Sequence, residues 1–321
     1  METGNPKTNL SENIKITRDK FTKQTQLHIK INTEWELYGG PDPEDIDRSH
    51  PMKKGSGPGI FPIDTEPVRY YFELETKFGN VRLAETLLPM EGCYNLRDLG
   101  GIRNKEGRFV KWGKLFRSDD LCDLTKSDLH YLESIPIHAV IDFRSKSEAE
   151  NALDKLPGGS VGYSLPFIPG DLNSLSQINS GDLQLDNFMH GIYKSLVSDS
   201  ACIKNYRDFF SLLQEEKNIP LIFHCSAGKD RTGMAAVFIL SALDVDKPTI
   251  MHNYLLSNCY LADKYEKITA RFPNIKPLFE VKPAYLENAF SEISAKYGSM
   301  ESFLTEELHI HIPQMKTRFL Y

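Results

Sequence analysis

No apolar run in this 321-residue chain approaches the roughly twenty residues that a membrane-spanning helix needs. The protein is therefore not expected to be integral to a membrane. Its start, Met1-Glu2-Thr3-Gly4-Asn5-Pro6, lacks the basic-then-apolar form of an export signal. Cysteine is scarce and odd in number, five with no Cys-x-x-Cys pair, which suits neither a disulfide framework nor a zinc site. The close pair His309 and His311 has no further ligand type beside it, so no metal or other cofactor is expected. Positive charge is short as well. The 38 Lys and Arg against 44 Asp and Glu leave a net charge of −6, whereas a nucleic-acid partner would call for a basic face. These absences predict a reducing, cytoplasmic setting, with an exported form whose signal has been trimmed left open.

A hydrophobic content of 40% and a charged content of 26% are ordinary for a globular protein. The length suggests two domains. Residues 1–12 are polar and read as a flexible N-terminus. From 13 to 88 the signal has period two. Leu27, Ile29 and Ile31 alternate with polar partners, 68–75 and 81–88 read as strands, and Gly55-Ser56-Gly57-Pro58-Gly59 marks a turn. This predicts a small all-β, sandwich-like domain, with Trp35, Tyr38, Tyr70, Tyr71 and Phe72 in its core. From 89 to 321 short apolar strands alternate with helical patterns, predicted over 125–134, 184–197, 202–214, 231–243, 249–262 and 283–297. The fold class is α/β, a short central sheet flanked by helices, and a fragment starting near Leu88 is expected to function alone.

The most informative stretch is His224-Cys225-Ser226-Ala227-Gly228-Lys229-Asp230-Arg231-Thr232-Gly233. It follows the apolar run 219–223 and leads into a helix that is apolar almost all round, which predicts burial at the centre of the domain. A tight loop before a helix start aims backbone N–H groups at one point, where the helix dipole favours negative charge. Cys225 stands at one end and Arg231 at the other. The helix start, Lys229 and Arg231 all favour a thiolate. Only a planar guanidinium grips two phosphoryl oxygens at once. Thr232 is placed to bond the sulfur. The pattern predicts a phosphate-monoester site with its own nucleophile, the amides of Ser226, Ala227, Gly228, Lys229, Asp230 and Arg231 holding the phosphate. An ATP-binding loop is excluded, because Asp230 stands where a magnesium-binding Ser/Thr should follow the lysine. The other four cysteines read as small buried hydrophobes.

At these residues the chain resembles the cysteine-dependent protein tyrosine phosphatases, and with Gly-Lys-Asp ahead of the arginine it is similar to their bacterial dual-specificity and lipid-active branch. Asn95-Leu96-Arg97-Asp98-Leu99-Gly100-Gly101, Leu115-Phe116-Arg117-Ser118, Val140-Ile141-Asp142-Phe143-Arg144-Ser145 and Asn253-Tyr254-Leu255-Leu256-Ser257-Asn258 resemble further motifs of that branch. The resemblance covers about residues 89–321. It implies a phosphocysteine on Cys225, a phosphate clamped by Arg231, and a phosphorylated protein or a phosphoinositide as substrate. It also implies that His224 orders the loop.

Expelling an alkoxide or phenoxide calls for a proton donor, and two acids compete. Asp230 lies in the loop, and the resemblance associates that position with catalysis. Asp171, in Pro169-Gly170-Asp171, could swing over the substrate. Asp230 is the favoured candidate. Asp142 reads equally as a brace or a strand-end turn, and Ser145-Lys146-Ser147-Glu148 as the cap of a helix. Arg97, Asp98 and Arg117 read either as buttresses of the site or, as the preferred expectation, as parts of a salt-bridged surface. The reading of a different class is a silent phosphate-binding scaffold.

Overall fold

Seven short strands take up the alternating N-terminal part, in a computed structural model that describes residues 10–168 and 182–321. After a single turn of helix, α1 (Leu10–Asn13), they run β1 (Ile14–Arg18), β2 (Thr25–Ile29), β3 (Glu34–Gly40), β4 (Lys53–Ser56), β5 (Gly59–Ile63), β6 (Tyr71–Thr76) and β7 (Gly79–Leu83). They form a three-stranded sheet, β1-β2-β5, and a four-stranded one, β4-β3-β6-β7. Ile14, Ile16, Leu27, Ile29 and Ile63 from the first sheet share one core with Trp35, Leu37, Phe72, Leu74 and Val81 from the second, the packing of a sandwich. The glycine-rich turn carries the chain from one sheet to the other, with Gly57 at φ +73°, a conformation that favours glycine. Strand β7 ends at Leu83 rather than near 88. Beyond it Glu85 and Leu87 make single bridges to Ile16 and Arg97.

The remaining strands, β8 (Arg97–Asp98), β9 (Leu115–Ser118), β10 (Ala139–Asp142), β11 (Val161–Ser164) and β12 (Leu221–His224), form one sheet in the order β11-β10-β12-β9-β8. Strand β12 is central and parallel to both neighbours. Its Leu221 and Phe223 enter one core and its Ile222 the other, so apolar layers cover both faces of the sheet. Helices α2 (Lys126–Glu133), α3 (Lys146–Asn151), α4 (Asp182–Ser198), α5 (Ser200–Leu213), α6 (Arg231–Ala242), α7 (Lys247–Arg271), α8 (Pro283–Tyr297), α9 (Met300–Ser302) and α10 (Ile312–Phe319) supply the rest. Helix α6, continuous with the loop after β12, is buried along nearly its whole length. Helix α7 outruns its expected end, because Lys264, Glu266 and Lys267 break the apolar pattern while being good helix formers. Of the short α3 and α10, only the cap of the first was read from the sequence, because both are too short to show an apolar period. They are capped by Ser145 and His311. Among the described residues no helix is long and apolar enough to cross a membrane.

A buried chain of charges joins the N-terminal strands to the five-stranded sheet. Arg18 Nε donates to Glu85 Oε1 at 2.8 Å, Arg69 Nη1 to Glu85 Oε2 at 3.0 Å and Arg69 Nη2 to Asp98 Oδ2 at 2.8 Å, and all four side chains are fully buried. Asp98 lies inside the molecule rather than in a surface salt bridge, because its oxygens also receive the N–H groups of Gly100 and Gly113.

Candidate active site

The loop between β12 and α6 is held from outside by its carbonyl groups. Asp120 N–H donates to Ser226 O at 3.3 Å, Asn95 Nδ2 to Ala227 O at 3.0 Å and Arg117 Nη2 to Gly228 O at 2.7 Å. Peptide planes that turn their C=O outward turn the following N–H inward, which builds a concave nest of donors. Gly228 N–H donates to Cys225 Sγ at 3.3 Å. The turn demands glycine at 228. Its φ is +66°, and a Cβ there would collide with the Ser118 carbonyl. Cys225 is 2% exposed, at the carboxyl end of the central strand.

Arg97 and Arg117 are not surface residues but fully buried braces. Arg117 Nη1 donates to Asn253 Oδ1 at 3.1 Å, and Arg97 Nη2 to Asn253 O at 3.0 Å and Ser257 Oγ at 3.2 Å. Arg97 also donates to Asn95 Oδ1. Burial pushes the Arg117 guanidinium down to about 10, against the opposing charge of Cys225. Three of the four separated motifs thus meet around this loop, Asn95 and Arg117 by bonding its carbonyl groups and Asn253 by bonding Arg117.

Arg231 opens α6. Its Nη1 and Nη2 donate to Glu148 Oε2 and Oε1, both at 2.8 Å, and Ser226 Oγ donates to Glu148 Oε1 at 2.7 Å. Glu148 also closes the capping box of α3 by receiving Ser145 N–H. Burial alone would raise the Glu148 carboxyl, but the bonds from Arg231 outweigh it and hold the group well below the carboxylate range. Sequence reasoning saw the helix cap and missed the arginine clamp, since the same carboxylate serves both and only the cap has a local spacing. The end-on grip uses Nη1 and Nη2 and leaves Arg231 Nε–H, on the side edge of the fork, without a hydrogen bond among the described residues.

Asp230 Oδ1 receives the Tyr193 hydroxyl at 2.6 Å, and Oδ2 receives Lys229 Nζ at 2.6 Å. Lys229 is buried and also reaches Glu280 O at 3.4 Å. Tyr193 and Glu148 were both missed. Tyr193 gave no signal, because an aromatic in an amphipathic helix reads as core. Asp171 lies outside the described residues. Thr232 Oγ1 is buried with no hydrogen-bond partner among the described residues, so it makes no bond to the sulfur. Asp142, Asp154 and His224 lie close enough to share a cation, and Arg144 supplies one, donating to Asp142 Oδ2 at 2.8 Å and Asp154 Oδ2 at 2.6 Å. The His224 ring stands 3.1 Å from Asp154. Of the other cysteines, Cys93 and Cys202 are buried as expected, while Cys122 is half-buried and Cys259 exposed.

Residues 88–320 match the sequence model of the tyrosine phosphatase family. The chain is 30% identical over 246 residues to a candidate tyrosine-protein phosphatase of Cupriavidus necator, covering 73% of this chain and 88% of that one. It is 26% identical over 258 residues to the triple specificity protein phosphatase PtpB of Mycobacterium tuberculosis, covering 68% of this chain and 92% of that one. Among solved structures, TpbA of P. aeruginosa in complex with phosphotyrosine aligns with 66% of this chain and 88% of its own at 12% identity, and its TM-score of 0.29 is too low to argue from. The stretch that matches the family model contains the loop, its braces and the helix behind it, and on that match this chain belongs to the tyrosine phosphatase family.

Proposed function

We propose that this protein hydrolyses phosphate monoesters, phosphotyrosine in proteins foremost, through a phosphocysteine on Cys225. The observation that carries the reading is the Gly228 N–H on Cys225 Sγ, with the guanidinium of Arg231 fixed in the same loop. In the first step Cys225 Sγ attacks phosphorus in line, the bond to the leaving oxygen breaks, and Asp230 supplies that oxygen with a proton. Amides from Ser226 to Arg231 and the free edge of Arg231 take the three equatorial oxygens, so the developing charge meets donors already in place. In the second step water attacks phosphorus and yields its proton to Asp230. The sulfur leaves as a thiolate beside Gly228 N–H. The loop itself supplies the charge stabilisation for both steps.

A phosphoinositide was the alternative substrate because Lys229 offered a further cation. With the ammonium engaged by Asp230 and Glu280 O, that argument weakens, and phosphorylated protein is the better reading. The test is turnover of a phosphotyrosine peptide, a phosphoserine peptide, a phosphoinositide and phenyl phosphate, each with chelator present. Wild type is expected to prefer the phosphotyrosine peptide. Cys225→Ser should abolish turnover with the fold intact, and Arg231→Lys should lose most of it because the fork is gone while the charge remains. Retention of about a tenth of wild-type kcat by Cys225→Ser, about 1.4 kcal/mol in barrier, would sink the covalent route. A folded but inert wild type would leave the scaffold reading standing.

A further inference from the structure

Asp230 occupies the N-cap position of α6 yet makes no capping hydrogen bond to that helix. An aspartate there ordinarily turns its carboxylate onto the helix's first N–H groups. This one is turned away, and what it meets instead comes from elsewhere in the fold. Tyr193, on α4, donates to Asp230 Oδ1 at 2.6 Å. Tyr254, on α7, donates in turn to the Tyr193 hydroxyl at 2.7 Å. Both tyrosines are fully buried.

We propose that Tyr254 and Tyr193 form a buried, one-way chain of phenols that positions the Asp230 carboxyl and eases the release of its proton to the leaving group. The proposal rests on the reading of Asp230 as the acid, and it names these tyrosines as positioning residues rather than catalytic ones.

Three arguments support it. A buried hydroxyl is costly unless bonded, and packing alone would be met by phenylalanine at either position. The rings do pack, with centroids 6.1 Å apart and nearly perpendicular. The hydroxyls are nevertheless aligned in series, and the series ends on a carboxylate. Direction follows from the donors. Tyr254 gives its hydrogen to the Tyr193 oxygen, so Tyr193 must give its own to Asp230, and each bond polarises the next. Burial also pushes both phenols well above their ordinary range, which keeps them protonated as donors at every working pH.

The chemistry then balances without any proton leaving a tyrosine. In the first step Asp230 passes its proton to the departing oxygen, and the new negative charge arises where Tyr193 already donates. A hydrogen bond strengthens when its acceptor ionises, so the chain favours the product of that transfer over the reactant. In the second step water returns a proton to the same carboxyl, which the chain has kept in place. The other charged and titratable groups facing Asp230 are Lys229 and Arg231 in the loop, Arg117 from β9, Tyr206 from α5 and Tyr285 on α8. None of these changes when Tyr193 or Tyr254 is replaced.

The experiment compares wild type, Tyr193→Phe, Tyr254→Phe and Asp230→Asn in kcat/KM against pH, using phenyl phosphate and an electron-poor nitrophenyl phosphate. Removing a donor from the carboxylate favours the acid form. The alkaline limb of Tyr193→Phe should therefore move up by about one pH unit. Its rate on phenyl phosphate should fall about tenfold or more, and the nitrophenyl ester, which needs little help from an acid, should fall much less. Tyr254→Phe should show the same signs at smaller size. Equal losses on both esters with an unmoved limb in both tyrosine variants would overturn the proposal and leave the two residues as packing. Asp230→Asn reports separately on the underlying reading. It should flatten the alkaline limb, and if it keeps the wild-type limb and leaving-group response, the assignment of the acid fails whatever the tyrosines do. Phenylalanine retains the ring, and melting curves identify any variant that has lost its fold.

Discussion

Glu148 is the residue whose replacement tests the site most sharply, because two opposite outcomes have physical arguments behind them. Its carboxylate takes two charge-assisted hydrogen bonds from Arg231, both at 2.8 Å, and one from Ser226 Oγ at 2.7 Å. In Glu148→Ala the guanidinium loses its anchor and keeps only long bonds, from Nη1 to Phe143 O at 3.4 Å and Phe167 O at 3.5 Å and from Nη2 to Ser226 Oγ at 3.4 Å, which lowers the rate. The same change removes an anion that competes with phosphate for Arg231, which raises affinity. The geometry decides between them. Glu148 grips the end of the guanidinium formed by Nη1 and Nη2, and Nε–H makes no hydrogen bond among the described residues, so one edge remains for phosphate while the other is fixed. Positioning therefore outweighs competition. Bonds to charged groups are worth roughly 1.5–3 kcal/mol each, and with Glu148 35% and Arg231 15% exposed solvent screening favours the low end. A net loss of about 2 kcal/mol, or about 30-fold in kcat/KM for phenyl phosphate, is expected. Glu148→Gln should lose nearly as much, since its amide N–H₂ would face a guanidinium N–H. The carboxyl is held well below its ordinary range. The pair is therefore intact above the unfolded carboxylate range and breaks only as pH falls through the depressed value. The loss should then be flat from about pH 5 to 8. Wild-type kcat/KM in both variants would refute positioning, and an increase would show that Glu148 competes with substrate.

Two further perturbations test the frame around the loop. Gly228→Ala should cut kcat/KM at least about tenfold, because the added Cβ collides with the Ser118 carbonyl in a backbone at φ +66°, where a left-handed residue already costs roughly 1–2 kcal/mol; near-normal kinetics would mean that the loop does not need this turn. Removing residues 1–87 takes Arg69 away from Asp98, a fully buried carboxylate that burial already pushes up, and breaking a buried pair costs about 3–5 kcal/mol. The fragment should melt well below the full chain, and Asp98→Asn within it should recover part of the difference. A fragment that melts within a few degrees of the full protein would show that the buried pair adds little to stability, and its turnover of phenyl phosphate tests separately whether the N-terminal strands are dispensable for the chemistry.

How much of this was readable in the sequence depends on the range of the interaction involved. The strand, loop and helix around Cys225 were legible because their signals are local: an apolar run, glycines, and a Cys–Arg spacing fixed by one turn. The helices over 125–134 and 283–297 were legible for the same reason, and structure places them at Lys126–Glu133 and Pro283–Tyr297. What the sequence left undecided was each role that needs a partner far along the chain. Arg117 meets Gly228 across 111 positions and Arg97 meets Asn253 across 156, and an arginine with a buried, distant acceptor looks the same in sequence as one in solvent. Glu148 was visible only through the three-residue spacing of its cap, and Tyr193 not at all, since a hydroxyl's direction leaves no trace in hydrophobic periodicity.

The unused cap of α6 ties these separate features together. A helix start has free N–H groups that a side chain normally satisfies. Here Asp230 stands in the capping position but is turned onto Tyr193 and Lys229 instead, and no side chain caps the helix. Those donors therefore stay open at the point where the helix dipole favours an anion. An uncapped helix start is poorly fixed by its own sequence, so its position must be set from outside. Arg117, Asn95 and the Asp120 N–H do so by holding the loop's carbonyl groups, Glu148 does so at Arg231, and the two tyrosines do so at Asp230. The buried polar residues that are hardest to explain as parts of a stable core are the ones that replace the missing cap, and they leave its hydrogen bonds available to a phosphate.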